Sequence, residues 1–272
     1  MNLLYTGVNQ RGFGTWPLTG DTARRAVLDA VGVGYRAFDT AQMYGNEAEV
    51  GAALTECGVP RSELCITTKV HPDNYDEARF LPSVEESIKA LGNEAPDLLL
   101  LHWPTLGGDV APALTLLQNA FDRGLAKSIG VSNYTIAQME TAVSVLDAPV
   151  TTNQVEFHPL LDQSKLLAAA SRLGIPLSAY CSIARGKIFE HPELAEIGEA
   201  HGKSAAQVSL RWILQKGVSP ISMSTKPKNM RANFDILDFS LSNVELGRID
   251  ELAARVHHRI TASVPWAPKW DA

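Results

Sequence analysis

Asp97-Leu98-Leu99-Leu100-Leu101-His102 places four leucines in a row between two polar residues. A strand with one wet face alternates apolar and polar residues. An unbroken apolar run of this length reads instead as a strand buried on both faces, as in a parallel sheet covered by helices. Four residues are also far too few to cross a bilayer. The flanks agree. Upstream, Leu81, Val84, Ile88 and Leu91 recur at helical spacing over 81–91, and Gly92 follows where a left-handed cap ends a helix. Downstream, 110–123 reads as a helix closed by Gly124, and the next run is Ser128-Ile129-Gly130-Val131-Ser132. Strand, helix, strand is the unit of a parallel α/β fold.

The same unit recurs along the chain. Strands are expected at Gln10–Thr15, Arg36–Thr40, Leu64–Lys69, Asp97–His102, Ser128–Ser132, Thr152–Glu156, Pro176–Cys181 and Val218–Ser222. Helices are expected over 21–32 (with Asp21 as a cap), 46–57, 81–91, 110–123, 135–145, 162–173, 203–216 and 227–237, with Gly174 and Gly217 as further closing glycines. Pro192–His201 and Leu241–Arg255 read as two additional helices outside the eight-fold repeat. The tail Ala262–Ala272 carries Pro265 and Pro268 and is not helical throughout. Eight units in 272 residues match one closed (β/α)8 TIM barrel, a single domain over 1–272. A doubly wound open sheet is the competing arrangement, but Gly12-Phe13-Gly14-Thr15 carries only half of its dinucleotide fingerprint.

Composition narrows the class. The formal net charge is −6 and no basic stripe is present, which argues against a nucleic-acid partner. Cys57, Cys65 and Cys181 are odd in number and widely spaced, the pattern of free thiols in a reducing cytoplasm. The histidines show no H-x-H or H-E-x-x-H spacing, so no metal site is expected. MNLLYTGVNQ, with no basic segment and no long apolar stretch, does not read as an export signal.

In a barrel, strand C-termini share one mouth. There the second strand delivers Asp39, the third Lys69 and the fourth His102, and the loop past the second adds Tyr44. Each has an ordinary role open to it: a turn cap, a solvated strand end, a core imidazole, an amphipathic loop residue. Together they have a chemical use. A phenol of pKa about 10 is a poor acid–base catalyst at neutral pH, and an adjacent ammonium is expected to lower it. A carboxylate behind the ammonium orients it, and an imidazole opposite holds a substrate oxygen. Such a group protonates a carbonyl oxygen while a hydride from a cofactor reaches the carbon.

The blocks GYRAFDTA at 34–41, YGNE at 44–47, ITTK at 66–69, LLLHWP at 99–104, IGVSN at 129–133 and NQVEFHP at 153–159 resemble, in order, the aldo-keto reductase family, bacterial type with a short C-terminal loop. The resemblance spans essentially the whole chain. It implies a catalytic tetrad in which Asp39 and Lys69 tune Tyr44, the general acid, and His102 positions the carbonyl. It implies a nicotinamide site in which Ser132, Asn133 and Gln154 hold the carboxamide and Tyr180 stacks on the ring. Further cofactor contacts are implied at Thr15 and Trp16, and in the block Cys181, Ser182 and Ile183. Arg185 in the following loop is expected to pair with the pyrophosphate.

The loop after the last strand departs from the family's Pro-Lys-Ser followed by Arg. Ser222, Ser224, Thr225 and Asn233 fall at cofactor positions, but Met223 stands where a Lys is usual and Asn229 where an Arg is usual. Lys226 and Lys228 lie close by. NADP(H) is favoured on the family pattern, with NAD(H) as the alternative. Trp16, Trp103 and Trp266 are expected to line a short-rimmed, open substrate pocket of broad carbonyl acceptance. The reading is thus a monomeric, cytoplasmic reductase of small-molecule aldehydes and ketones, with no membrane partner. Two alternatives stand beside it: a cofactor-binding redox-sensing subunit with little turnover, and a Schiff-base barrel aldolase acting through Lys69.

Overall fold

The computed structural model describes residues 10–271. Apart from Gln10, the amino-terminal stretch read above for export signals lies outside them. The eight strands form a closed, all-parallel barrel in chain order: β1 (Gly12–Gly14), β2 (Ala37–Asp39), β3 (Cys65–Val70), β4 (Leu98–Leu101), β5 (Ile129–Ser132), β6 (Val150–Glu156), β7 (Leu177–Tyr180) and β8 (Ser219–Ser222). Around it lie α1 (Gly20–Val33), α2 (Glu47–Glu56), α3 (Phe80–Ala90), α4 (Ala111–Asp122), α5 (Ile136–Val145), α6 (Ser164–Leu173), α7 (Pro192–His201), α8 (Ala205–Gln215), α9 (Pro227–Phe234) and α10 (Asn243–Val256). The two helices expected outside the repeat are α7 and α10. They are joined to each other by Arg248–Glu196 and Arg255–Glu193 ion pairs.

The four leucines show why the run had to be unbroken. Leu99 and Leu101 point outward and pack with Phe80 and Val84 of α3 and with Leu114 and Leu117 of α4. Leu98 and Leu100 point inward and fill the barrel with Ala37 and Cys65. All four are fully buried. Each alternate side chain therefore removes apolar surface from water in a different core, at about 1.5–3 kcal/mol apiece.

Three local expectations differ. The first strand is shorter than Gln10–Thr15. A Cβ on Gly12 or Gly14 would come within 3.0 or 3.1 Å of Ile221, so these glycines let β1 close against β8. Asp21 is not the cap of α1. The helix starts at Gly20 after Thr19, and Asp21 sits in the first turn, where its charge favours the helix dipole. α9 stops at Phe234 rather than 237, because Gln207 takes the Asp235 carbonyl and Ile236 turns into the core. The closing glycines 92, 124, 174 and 217 all have positive φ, as their positions require.

Candidate active site

β2, β3 and β4 end side by side, and their registers place the expected ionisable groups at one mouth. Asp39 is the last residue of β2, Lys69 lies one residue from the end of β3, and His102 follows β4 directly. Tyr44 ends a short 3-10 turn, Gln42–Tyr44, that Gly45 closes in the left-handed region at φ 63°. Two amides hold this loop. Asn46 accepts from Thr40 Oγ1 at 2.7 Å and donates to the carbonyls of Thr15 and Leu18. Gln42 donates to Ser83 O at 3.0 Å and accepts from His71 N at 2.8 Å.

The Lys69 ammonium is fully buried. It donates to Asp39 Oδ1 at 2.5 Å, to the Thr40 carbonyl at 2.9 Å and to the Tyr44 hydroxyl at 3.2 Å. Three donors on one nitrogen require the protonated amine, which leaves no lone pair for a Schiff base. Burial pushes the Lys69 pKa down, while the charges of Asp39 and Glu47 oppose that shift. Glu47 is a part-buried carboxylate that accepts from Thr68 and Ser87, and desolvation raises its own pKa. It lies in the quoted YGNE block, but no site role was assigned to it from sequence.

Tyr44 corrects the expected electrostatics. Part of its side chain stays accessible, yet its pKa is raised well above 10.0 rather than lowered. Burial dominates, followed by the charge of Asp39 and the nearby Cys181. Asp39 neutralises the Lys69 charge at close range, so the ammonium cannot outweigh desolvation of a phenolate. Tyr44 therefore rests as a neutral phenol. His102 meets its ring edge-on with centroids 5.5 Å apart. Burial, then the charges of Lys69 and His71, hold its pKa well below 6.5, so the imidazole is neutral.

Opposite this group, β5 to β7 carry a buried polar wall. Ser132 Oγ donates to the Gln154 carbonyl at 2.7 Å. Asn133, at φ 64°, donates to the His102 carbonyl and to Ser132 Oγ, both at 3.0 Å, and accepts from Tyr180 Oη at 2.6 Å. Gln154 Nε2 donates to Asp39 Oδ2 at 2.7 Å. Thr261 from the tail, missed in the sequence, meets Tyr180 Oη at 2.9 Å and donates to Glu156.

Several expected cofactor residues spend their side chains on the protein itself. The Thr15 hydroxyl holds the Asp39 carbonyl, that of Ser182 holds the carbonyls of Ala179 and Ile221, and that of Ser222 pairs with Tyr35. Ile183 and Met223 pack against apolar clusters. Ser224 Oγ accepts from Lys226 N, while Thr225 and Asn229 are exposed. Asn233 is buried on α9 and makes no side-chain hydrogen bond to the described residues. After β7 the chain takes positive φ at Cys181, Ala184 and Arg185, a rare conformation for side-chain-bearing residues and one that clusters at functional loops. Arg185 then lays its guanidinium 4.6 Å from the centre of the Trp16 ring, joining the β1 and β7 loops. Among the described residues Arg185, Lys226 and Lys228 make no ion pair. Unpaired cations on the β7 loop and at the start of α9 suit the phosphates of a dinucleotide.

The three tryptophans occupy different settings. Trp16 is 45% exposed at the rim. Trp103 is buried and stacked beside His102 at 6.5 Å, so it backs the site rather than facing solvent. Trp266 packs edge-on to His71 at 5.3 Å. The tail is pinned at both ends, by Thr261 and by Asp271, which accepts from Ile136 N at 3.0 Å.

A parallel barrel with a neutral phenol, a buried Lys–Asp pair and a neutral imidazole at its C-terminal mouth defines an oxidoreductase of the NAD(P)H-dependent, carbonyl-reducing class. The profile of the Aldo/keto reductase family matches residues 4–254, and the chain belongs to that family. Methylglyoxal reductase DkgB of Escherichia coli O157:H7 is 38% identical over 263 residues, covering 96% of this chain and 98% of that one. A crystal structure provisionally assigned as a 2,5-diketo-D-gluconic acid reductase B matches with TM-score 0.93 at 43% identity, covering 98% and 95% of the two chains. The Bombyx mori aldo-keto reductase in complex with NADP matches with TM-score 0.86 at 30% identity, covering 96% and 95%.

Proposed function

We propose that the protein reduces aldehydes and ketones to alcohols, with Tyr44 as proton donor and NADPH as the preferred reductant. The carrying observation is the Tyr44 hydroxyl, 3.2 Å from a Lys69 ammonium that Asp39 locks in place. When bound, the reduced nicotinamide supplies the hydride to the carbonyl carbon. Tyr44 Oη gives its proton to the carbonyl oxygen, so the C=O becomes CH–OH. The negative charge left on Tyr44 Oη is held by Lys69 Nζ, already aimed at it. His102, neutral in the ground state, donates a hydrogen bond to the same oxygen and orients it; as a neutral imidazole it is not the acid.

Gln154, Ser132 and Asn133 form the wall against which a carboxamide fits, and Tyr180 offers the ring face beside it. Lys226 and Lys228, exposed and without ion pairs at the amino end of α9, support recognition of a 2′-phosphate in place of the usual cations at Met223 and Asn229. The name methylglyoxal reductase carried by the DkgB relative supports small, reactive carbonyls as substrates.

The test is oxidation of NADPH or NADH by purified protein with 4-nitrobenzaldehyde, alongside Tyr44→Phe. We expect turnover with NADPH ahead of NADH, and a kcat loss of about 10²–10⁴-fold in the variant with cofactor affinity retained. Lys226→Ala/Lys228→Ala is expected to weaken NADPH binding and leave NADH binding unchanged. Cofactor binding without oxidation across an aldehyde panel would overturn the reading in favour of a sensor.

A further inference from the structure

Tyr44 Oη and Lys69 Nζ meet at 3.2 Å, and the residues flanking each of them tie the two segments together. Gln42, two residues before Tyr44, accepts at 2.8 Å from the backbone N of His71, two residues after Lys69. Glu47, three residues after Tyr44, accepts from the hydroxyl of Thr68, the residue before Lys69. Successive side chains of a strand face opposite sides. Lys69 reaches into the mouth, so Thr68 faces the helices outside. The Tyr44–Lys69 contact is thus bracketed by two ties between the loop and β3.

One hydroxyl on α3 joins the ties to each other. Ser87 is only 2% exposed. Its Oγ lies 3.2 Å from Gln42 Nε2 and 3.1 Å from Glu47 Oε2. The directions of these bonds are fixed by what each group carries. Gln42 Oε1 takes two donors, His71 N and Asn74 Nδ2, so its Nε2 faces α3. Ser87 has a single hydrogen, and an ionised carboxylate only accepts. Ser87 therefore accepts from Gln42 and donates to Glu47. The other acceptor in its reach, the Ser83 carbonyl at 3.2 Å, already takes Gln42 Nε2. The two helices come close enough for this because Gly51, one turn on from Glu47, lies against Ala90 and Leu91, one turn on from Ser87.

We infer that Ser87 is a positioning residue for Tyr44: from a helix outside the barrel, its hydroxyl couples Gln42 to Glu47 and so fixes the phenol against Lys69 Nζ. This rests on the reductase reading above and extends it to a residue remote from the barrel mouth. A proton donor displaced by about 1 Å loses on the order of 10²-fold in rate, so a lost tie behind the loop registers in the chemical step.

The experiment measures NADPH oxidation by 4-nitrobenzaldehyde in the unaltered protein, Ser87→Ala, Tyr44→Phe and Tyr44→Phe/Ser87→Ala. The expected result is a kcat lowered about 10–100-fold in Ser87→Ala, with KM and NADPH affinity within about twofold. In the Tyr44→Phe background the same substitution leaves the residual rate unchanged, because the group it positions is gone. Equal losses in both backgrounds would show that Ser87 acts on the barrel as a whole and overturn the inference, as would an unchanged kcat in Ser87→Ala. Amide hydrogen exchange gives a second readout that needs no turnover. Tyr44 N and Gly45 N are bonded to the carbonyls of Ala41 and Gln42. Both amides are expected to exchange about tenfold faster in Ser87→Ala and in Glu47→Gln, with the amides of α5 unchanged. If the unaltered protein oxidises no NADPH, the reductase reading fails on its own account and exchange alone decides the clamp: faster exchange confined to the loop upholds it, and unchanged exchange overturns it. Should Ser87→Ala not fold, Glu47→Gln, which keeps the side-chain volume, takes its place in both measurements.

Discussion

Gln154 Nε2 donates to Asp39 Oδ2 at 2.7 Å, from β6 to β2 across the barrel mouth and 115 positions along the chain. With Lys69 on Oδ1, both oxygens of the Asp39 carboxylate are held from opposite sides. The amide proposed to close the nicotinamide wall is therefore the same amide that fixes the Asp39 carboxylate. Replacing it with Gln154→Leu leaves Oδ2 without this donor inside the barrel. The expected cost is about 1–3 kcal/mol of stability, read in a urea titration, together with weaker NADPH binding. Loss of cofactor affinity at unchanged stability would show that the Asp39 contact contributes nothing.

Breaking the buried pair is expected to cost more. Lys69→Met strands Asp39, which is only 6% exposed, and should destabilise the protein by about 3–5 kcal/mol. Lys69→Met/Asp39→Asn removes the stranded charge as well and should recover a large part of that loss. A double variant as unstable as the single one would place the cost in packing.

The shifted groups fix the pH behaviour. Tyr44, Tyr75 and Tyr180 keep their protons in the folded chain well above the ordinary 10.0, chiefly through burial. Above about pH 10 the unfolded chain releases these protons and the folded chain does not, so stability falls as pH rises further. On the acid side His102 titrates well below 6.5, again chiefly through burial. Below that value the unfolded chain takes up the proton first, so stability also falls as pH drops. Between these limits Tyr44 and His102 are neutral and kcat should be level. The check is thermal melting across pH, in which His102→Asn flattens the acid limb.

Two glycines on helices should respond oppositely to alanine. A Cβ at Gly51 on α2 would lie 2.1 Å from the Ala90 carbonyl oxygen and 2.7 Å from Leu91 Cα, both backbone atoms that cannot rotate away. Gly51→Ala should cost at least about 1–3 kcal/mol by forcing α2 from α3. Gly247 on α10 has nothing within 4 Å, and Gly247→Ala should stabilise by about 0.5–1 kcal/mol through backbone entropy alone. Parallel melting curves decide both.

The barrel and its ionisable rim were legible because they depend on short-range pattern. An unbroken leucine run dictates a doubly covered strand, and a polar residue ending such a strand has nowhere to go but the mouth. What stayed hidden depends on partners far along the chain. That Ser182 and Ser222 turn their hydroxyls to the protein follows from Ile221 and Tyr35, not from their neighbours in sequence. The sign of the Tyr44 shift was misjudged because sequence shows an adjacent ammonium but not the depth of burial. Glu156 and Thr261 meet from 105 positions apart, and no local pattern announces such a pair.

That last pair has a consequence for how the molecule comes apart. Burial works against the Glu156 carboxylate, yet donation from His158, Thr261 and Ile260 more than offsets it and keeps the group ionised. Peeling the tail away would withdraw most of those donors and leave a bare charge inside the barrel. Residues 260–271 are therefore expected to melt with the whole rather than fraying ahead of it, with the indoles of Trp266 and Trp270 as built-in optical reporters of the global transition.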